Sequence, residues 1–243
     1  MQNYVFGADI GGTSVQLGLF YADGKLLEKW EIPTRTANGG VHVLPDVAQA
    51  IAESMGRNGI SASQIVGIGI GVPGPVDDSF TVNKCVNLGW GVFNIKGRMN
   101  ELLPDIPNIA AGNDANVAAL GELWQGGGRG SRSAVMITLG TGVGGGVVLD
   151  GKIKKKKNGG AGEIGHMTVE PGEIVPCSCG KCGCLEQYTS ARGIVRMAKV
   201  MLSQCDTPSK LRGIEDFTSK HICELAVAGD HMALKIIDRF GDY

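Results

Sequence analysis

Ala8-Asp-Ile-Gly-Gly-Thr13, followed by Asp23-Gly24-Lys25, returns later in the chain as Thr138-Leu-Gly-Thr-Gly142, followed by Asp150-Gly151-Lys152. Each copy reads as strand, glycine turn, strand and Asp-Gly-Lys turn. Two copies of one supersecondary unit imply an α/β protein of two similar lobes facing each other across a cleft. The competing reading is that glycine-rich hairpins resemble one another by chance.

Working outward, residues 4–10 and 15–21 are rich in β-formers, and Asp23-Gly24 is a hairpin dipeptide leading to a third strand near 26–32. Leu44, Val47, Ala48, Ile51 and Met55 keep helical spacing, and Ile65–Gly71 alternates Ile or Val with Gly as a buried strand would. A further strand is predicted at Asn108–Gly112, then a helix at Ala115–Gln125 that Gly126–Gly130 ends. After Cys184 the pattern is helical, over Thr189–Ser203, Lys220–Ala228 and Met232–Phe240. Lys154–Lys157 reads as a solvated loop, with steering of phosphate as the alternative.

Of 243 residues, 39 are glycine, more than twice the usual ~7%. They follow no Gly-X-Y period and lie among 43% hydrophobic residues, so collagen and low-complexity disorder are excluded. Lys plus Arg is 23 against 24 for Asp plus Glu, which leaves no global positive field for nucleic acid or anionic lipid. The N-terminus lacks a basic flank with an apolar core, and no apolar run reaches about 18 residues, so a cytoplasmic chain without a membrane span is expected. Seven cysteines is an odd number, and four fall within Cys177–Cys184, a density that suits metal ligation better than disulfides. Cys85, Cys205 and Cys223 are expected to be buried thiols.

Gly140-Thr-Gly142-Val-Gly-Gly145 fits the dinucleotide pattern G-x-G-x-x-G, but that pattern opens a helix and Val147-Val-Leu-Asp150 reads as a strand. No G-x-x-x-x-G-K-[ST] occurs, so a P-loop is excluded as well. What remains is a pair of glycine hairpin turns whose backbone N–H groups could hold phosphate oxygens, with Thr13, Ser14 and Thr141 adding hydroxyls. The ordinary tight hairpin is the alternative. Asp9, at a strand end beside the first turn, is placed to hold Mg²⁺ near bound phosphate. Asp114 follows a strand end and opens a helix, so it is either a cleft-facing carboxylate or a helix N-cap.

Asp9-Ile-Gly-Gly-Thr13, Gly71-Val-Pro-Gly-Pro-Val76, Asn87-Leu-Gly-Trp90, Asn113-Asp-Ala-Asn116, Leu139-Gly-Thr-Gly142, Gly162-Glu-Ile-Gly-His166 and Cys177-Ser-Cys-Gly-Lys-Cys-Gly-Cys-Leu-Glu186 follow one another in that order. Together they resemble the ROK family of repressors and sugar kinases, most closely its bacterial ATP-dependent glucokinases. The resemblance spans almost the whole chain. It implies an actin-like, ribonuclease H-like ATPase fold of two lobes, residues 1–115 and 116–243, with sugar and ATP in the cleft between them. It implies transfer of the ATP γ-phosphoryl group to a hexose, glucose by preference, with fructose, mannose and N-acetylmannosamine as alternatives, and it suggests a homodimer. Asp114 takes the position of the catalytic base. Asn113, Glu163, His166 and Glu186 take those of sugar ligands, with Gly74 and Asn87 as further contributors. Asp9, Gly11, Gly12, Thr13, Ser14, Thr141 and Gly142 take those that hold ATP and Mg²⁺.

The same resemblance places structural Zn²⁺ ligands at His166, Cys177, Cys179 and Cys184, leaving Cys182 surplus. The four cysteines alone form the rival set, although two C-x-C pairs so close would strain one tetrahedron. Family repressors carry a DNA-binding region ahead of the kinase-like part, and this chain opens at its first strand without a basic helix-turn-helix, so the enzyme reading is preferred. Family members continue past the position of Tyr243 into a strand and a glycine-rich loop that closes the adenosine pocket. The second lobe is therefore expected to be truncated, leaving either an enzyme with weakened ATP binding or a sugar-binding protein without catalysis.

Overall fold

The computed structural model describes residues 2–154 and 162–243. Lys155, Lys156 and Lys157 of the lysine block lie outside the described residues. Residue contacts divide the chain into two compact units, Met1–Arg132 and Ser133–Tyr243.

In the first unit β1 (Tyr4–Ile10), β2 (Ser14–Tyr21) and β3 (Leu26–Pro33) form an antiparallel meander. A single left-handed turn, α1 (Ala37–Gly40), leads to α2 (Val43–Asn58). β4 (Ile65–Val72) then runs parallel to β1. A short hairpin, β5 (Thr81–Val82) with β6 (Phe93–Asn94), precedes α3 (Ile95–Leu102), β7 (Ile109–Asn113) and α4 (Asp114–Gln125). β7 pairs in parallel with β4, so the sheet order is β3-β2-β1-β4-β7.

The alternation of strand residues gives the sheet two unlike faces. Phe6, Ala8, Ile10, Ile68 and Ile70 share one buried cluster with Val47 and Ile51 of α2 and Met99 of α3. α2 has its apolar residues at helical spacing and ends on Gly59 in the left-handed conformation, φ 63°, where a residue without Cβ meets no steric penalty. The other face carries Gly67, Gly69 and Gly71, and there α4 packs on β4 and β7. A methyl group at Gly67 would lie 2.6 Å from the Asn108 carbonyl oxygen, and one at Gly112 would lie 2.9 Å from Val117. These glycines let the backbone of β7 and the side chains of α4 come close to the sheet. The contact holds α4 in the first unit, so the division falls at 132/133 where the sequence reading placed it at 115/116.

The second unit contains an antiparallel sheet of β8 (Ala134–Leu139), β9 (Val143–Leu149) and β10 (Lys152–Ile153), in the order β10-β9-β8. Four helices follow: α5 (Glu186–Thr189), α6 (Ala191–Ser203), α7 (Ser219–Val227) and α8 (His231–Gly241). α6, α7 and α8 bury Ile194, Ala198, Ile222, Ala233 and Ile236 in a core of their own. Cys85 is buried as expected, but Cys205 is half-buried and Cys223 exposed. The inward face of α7 centres on Ile222, which turns its neighbour Cys223 outward.

The sequence repeat is a structural one. β1–β2 and β8–β9 are both hairpins closed by the glycine turns, through Gly11 N–H to Ser14 O and Gly140 N–H to Gly142 O, each 2.9 Å. The Asp-Gly turns that follow differ. Asp150 and Gly151 both have positive φ, 51° and 74°, as a two-residue type I′ turn requires, whereas at the first turn only Gly24 does.

The glycines of β4 make a direct comparison possible. Gly67→Ala should destabilise the protein by about 1–3 kcal/mol through overpacking. Gly69 has nothing within 4 Å of an added methyl group, so Gly69→Ala should be neutral or stabilising by up to about 1 kcal/mol. The urea midpoint of Gly67→Ala should therefore fall below the parent value, while that of Gly69→Ala stays at it or rises above it.

Candidate active site and metal cluster

Asp9 pairs with Gly71, and Gly71 with Gly112, across the ends of β1, β4 and β7. Asn113-Asp114 comes immediately after. A methyl group at Gly71 would lie 3.1 Å from Asp9 Oδ1 and 3.7 Å from Asp114 Cα, so glycine is what allows both acids to reach this edge. Desolvation raises the Asp9 pKa, and the nearby Asp114 carboxylate raises it further. Desolvation also raises Asp114, against hydrogen bonds from Ala115 N–H and the Asn113 amide that favour its charged form.

Asp114 is not the helix cap. Asn113 caps α4 by accepting from Asn116 N–H at 3.2 Å, and its Nδ2 donates to Asp114 Oδ1 at 2.8 Å. Asp114 is the first helical residue, with Oδ1 also accepting from Ala115 N–H at 2.7 Å. The capping residue thus orients the carboxylate that follows it.

The first glycine turn lies beside these acids at the end of β1. Its ends are tied by Thr34, whose N–H donates to Thr13 O and whose hydroxyl donates to Gly11 O. Gly12 and Thr13 are exposed, and among the described residues their N–H groups have no acceptor. Asn87 is exposed next to Gly12, 3.8 Å from where a methyl group there would lie. Gly74 sits against Lys84 O and Cys85. Sequence reasoning gave Cys85 only a packing role, yet the Asp114 charge is felt at its thiol, which burial pushes up.

In the second unit, Thr141 and Gly142 likewise have N–H groups without an acceptor among the described residues, while Val143 N–H donates to Glu186 Oε2 at 3.0 Å. A methyl group at Gly142 would lie 2.5 Å from that oxygen. His166, Cys177, Cys179 and Cys184 offer four ligand atoms all within 4.8 Å of one another. Tetrahedral coordination at ~2.0–2.3 Å needs such a spacing. His166 Nδ1 faces Cys177 Sγ at 3.7 Å, and its Nε2 lies 3.8 Å from Glu163 Oε2. Cys182 points away, its thiol 3.7 Å from Ile174 O. Burial and the thiols of Cys179 and Cys177 push Cys184 up to about 12, a strain that a divalent cation would relieve.

Glu173 was not anticipated from the sequence. It accepts from Arg196, from Tyr188 Oη at 2.7 Å and from the N–H groups of Ile174 and Val175 at 2.9 Å. Glu173 lies between His166 and Cys177, so this network ties the cysteine loop to α5 and α6. No local pattern marks it, because its partners lie 15 and 23 residues away.

The profile of the ROK family matches residues 5–243. The chain belongs to the ROK family. It is 40% identical over 245 residues to the glucokinase of Halalkalibacterium halodurans, covering 98% of this chain and 72% of that one. Among solved structures it is similar to the ROK hexokinase of Thermus thermophilus, with a TM-score of 0.76 and 31% identity over 96% of this chain and 72% of that one. It is also similar to a ROK family glucokinase from Streptomyces griseus in complex with glucose and AMPPNP, with a TM-score of 0.73 and 33% identity over 98% and 75% of the two chains. The fold is accordingly the actin-like ATPase fold that the repeat and the motifs led one to expect.

Arg196, followed by Val175 N–H and Tyr188, lowers the Glu173 pKa to about 2. The carboxylate therefore contributes stability that is present above the unfolded-chain value of ~4.3 and lost as pH falls through the folded value. Glu173→Gln should cost about 1.5–3 kcal/mol at pH 7. Thermal melts should show the gap from the parent closing as the pH is lowered from 5 toward 3.

Proposed function

We propose that this ROK protein phosphorylates glucose with ATP, and that Asp114 is its general base. The observation that carries the reading is the pair Asp9 and Asp114, brought to one edge of the parallel strands beside a glycine turn with unused N–H groups. ATP would supply the phosphoryl group, and a bound Mg²⁺ would supply charge neutralisation. Asp9 would hold the cation, commonly through water, and a cation there would also offset the desolvation that raises both carboxylates and the Asp114 charge that raises Asp9 further. Gly11, Gly12, Thr13 and Ser14 cradle phosphate oxygens in the first unit, and Thr141 and Gly142 do so in the second.

Asp114 accepts the proton of a sugar hydroxyl as that oxygen attacks the γ-phosphate in line. Its raised pKa makes it a better proton acceptor than an exposed aspartate, and Asn113 holds it in place. Asn113, Glu163, His166 and Glu186 satisfy the remaining hydroxyls, with Gly74 and Asn87 shaping the surroundings. A site built of such hydrogen bonds rejects analogues that lack a hydroxyl, because its own polar groups are then stranded. His166, Cys177, Cys179 and Cys184 would hold Zn²⁺ as a structural ion, which would fix the His166 ring so that its other nitrogen could face the sugar.

A coupled ADP-release assay over a hexose panel tests the activity, with glucose expected to give the highest kcat/KM. Asp114→Asn should lower kcat by about 10²–10⁴-fold while calorimetry still detects glucose binding; turnover near the parent rate would remove Asp114 from the base role. Metal analysis should find one zinc per chain in the parent and in Cys182→Ser, and should find it lost in Cys184→Ser. Zinc lost from Cys182→Ser as well would favour the all-cysteine set.

A further inference from the structure

The second glycine turn is fastened to the start of the helical region at two points. Val143 N–H donates to Glu186 Oε2 at 3.0 Å, and Ala191 N–H donates to Gly140 O at 2.8 Å. The first bond is unlike anything in the matching β1–β2 turn, where the corresponding closure is made by a neutral residue, Thr34. Gly142 presents no side chain, so nothing separates the turn from the carboxylate.

A carboxylate at a turn with unused N–H groups has two effects. It orders the backbone by a charge-assisted hydrogen bond, and it sets a negative charge against any phosphate that approaches. A hydroxyl donated to the other carboxylate oxygen would draw charge away from the turn without breaking the bond to Val143. Glu186 begins α5 two residues beyond Cys184, and Tyr188 on the same short helix is gripped by Glu173. The carboxylate is therefore mounted on a segment with little freedom to swing aside.

We propose that Glu186 is a positioning residue that couples the two substrates: its charge weakens nucleotide binding at the Gly140–Gly142 turn until a sugar hydroxyl donates to it. The inference rests on the assignment of sugar to Glu186 and of phosphate to the turn. It predicts that sugar and nucleotide each tighten the binding of the other by the same factor. It also gives the carboxylate a role that an amide of the same shape cannot fill, since the amide oxygen of Gln keeps the bond to Val143 but carries no charge.

Calorimetric titration of the 243-residue chain with Mg·AMPPNP, with and without saturating glucose, tests this. Glucose should tighten AMPPNP binding at least about fivefold, at the lower end of usual coupling. Glu186→Gln should bind AMPPNP without sugar about as tightly as the parent does with it, and glucose at its own saturating level should then change the affinity less than twofold. Glu186→Ala, which loses the bond to Val143 as well, should not recover the tight binding. Glucose binding with no effect on AMPPNP affinity in the parent, or coupling undiminished in Glu186→Gln, would overturn the inference and leave the sugar-kinase reading standing. Absence of any glucose binding would overturn both.

Discussion

How closely α4 can lie on β4 and β7 sets the chemistry of the first unit. Gly71 and Gly112 have no side chains to hold the helix away, and Val117 fills the space against both. The start of the helix consequently falls beside the end of β1, and with it come Asn113 as cap and Asp114 as first helical residue. Larger residues at either glycine would shift the helix and the carboxylate together. The apolar face, with Phe6, Ile10 and Ile70 against α2, supplies the stiffness from which the other face is positioned.

That closeness has an electrostatic cost. Partial desolvation raises the pKa of both acids, and the Asp114 charge raises Asp9 further. Such an arrangement is one that a cation or a proton-donating hydroxyl would stabilise. The cysteine cluster has the same character, with burial first and then the neighbouring thiols raising Cys184. In both places the folded chain concentrates acidic groups at some expense, and a positive charge would compensate.

What the sequence revealed followed from local signals. Paired glycine turns, Asp-Gly dipeptides and alternating Ile-Gly residues depend on backbone conformation, so the two hairpins and β4 were readable at close to their observed limits. The density of cysteines between Cys177 and Cys184 pointed to a metal cluster, but choosing His166 with Cys177, Cys179 and Cys184 over the four cysteines came from the family resemblance, and the fold gathers that set. Less was readable where the deciding contact is distant. Glu173 looked like any loop acid because Arg196 lies on another element. Whether Asn113 or Asp114 caps α4 turned on one residue of phase, since either side chain can accept from the first turn. The two Asp-Gly turns read alike although only the second has Asp150 at positive φ. The exposure of Cys223 needed the direction of the α7 core, which its own spacing does not specify.

The grip of Glu173 on Arg196 and Tyr188 bears on how the cysteine loop comes together. Its bonds do not involve His166, Cys177, Cys179 or Cys184, so the loop has a second anchorage that needs no ion. Four ligand atoms within 4.8 Å of one another, on a loop held by these bonds, form a preorganised set, so binding a cation there would cost little further ordering. Were a cation bound there, its removal would loosen the tip of the loop around Cys179 and leave its base in place.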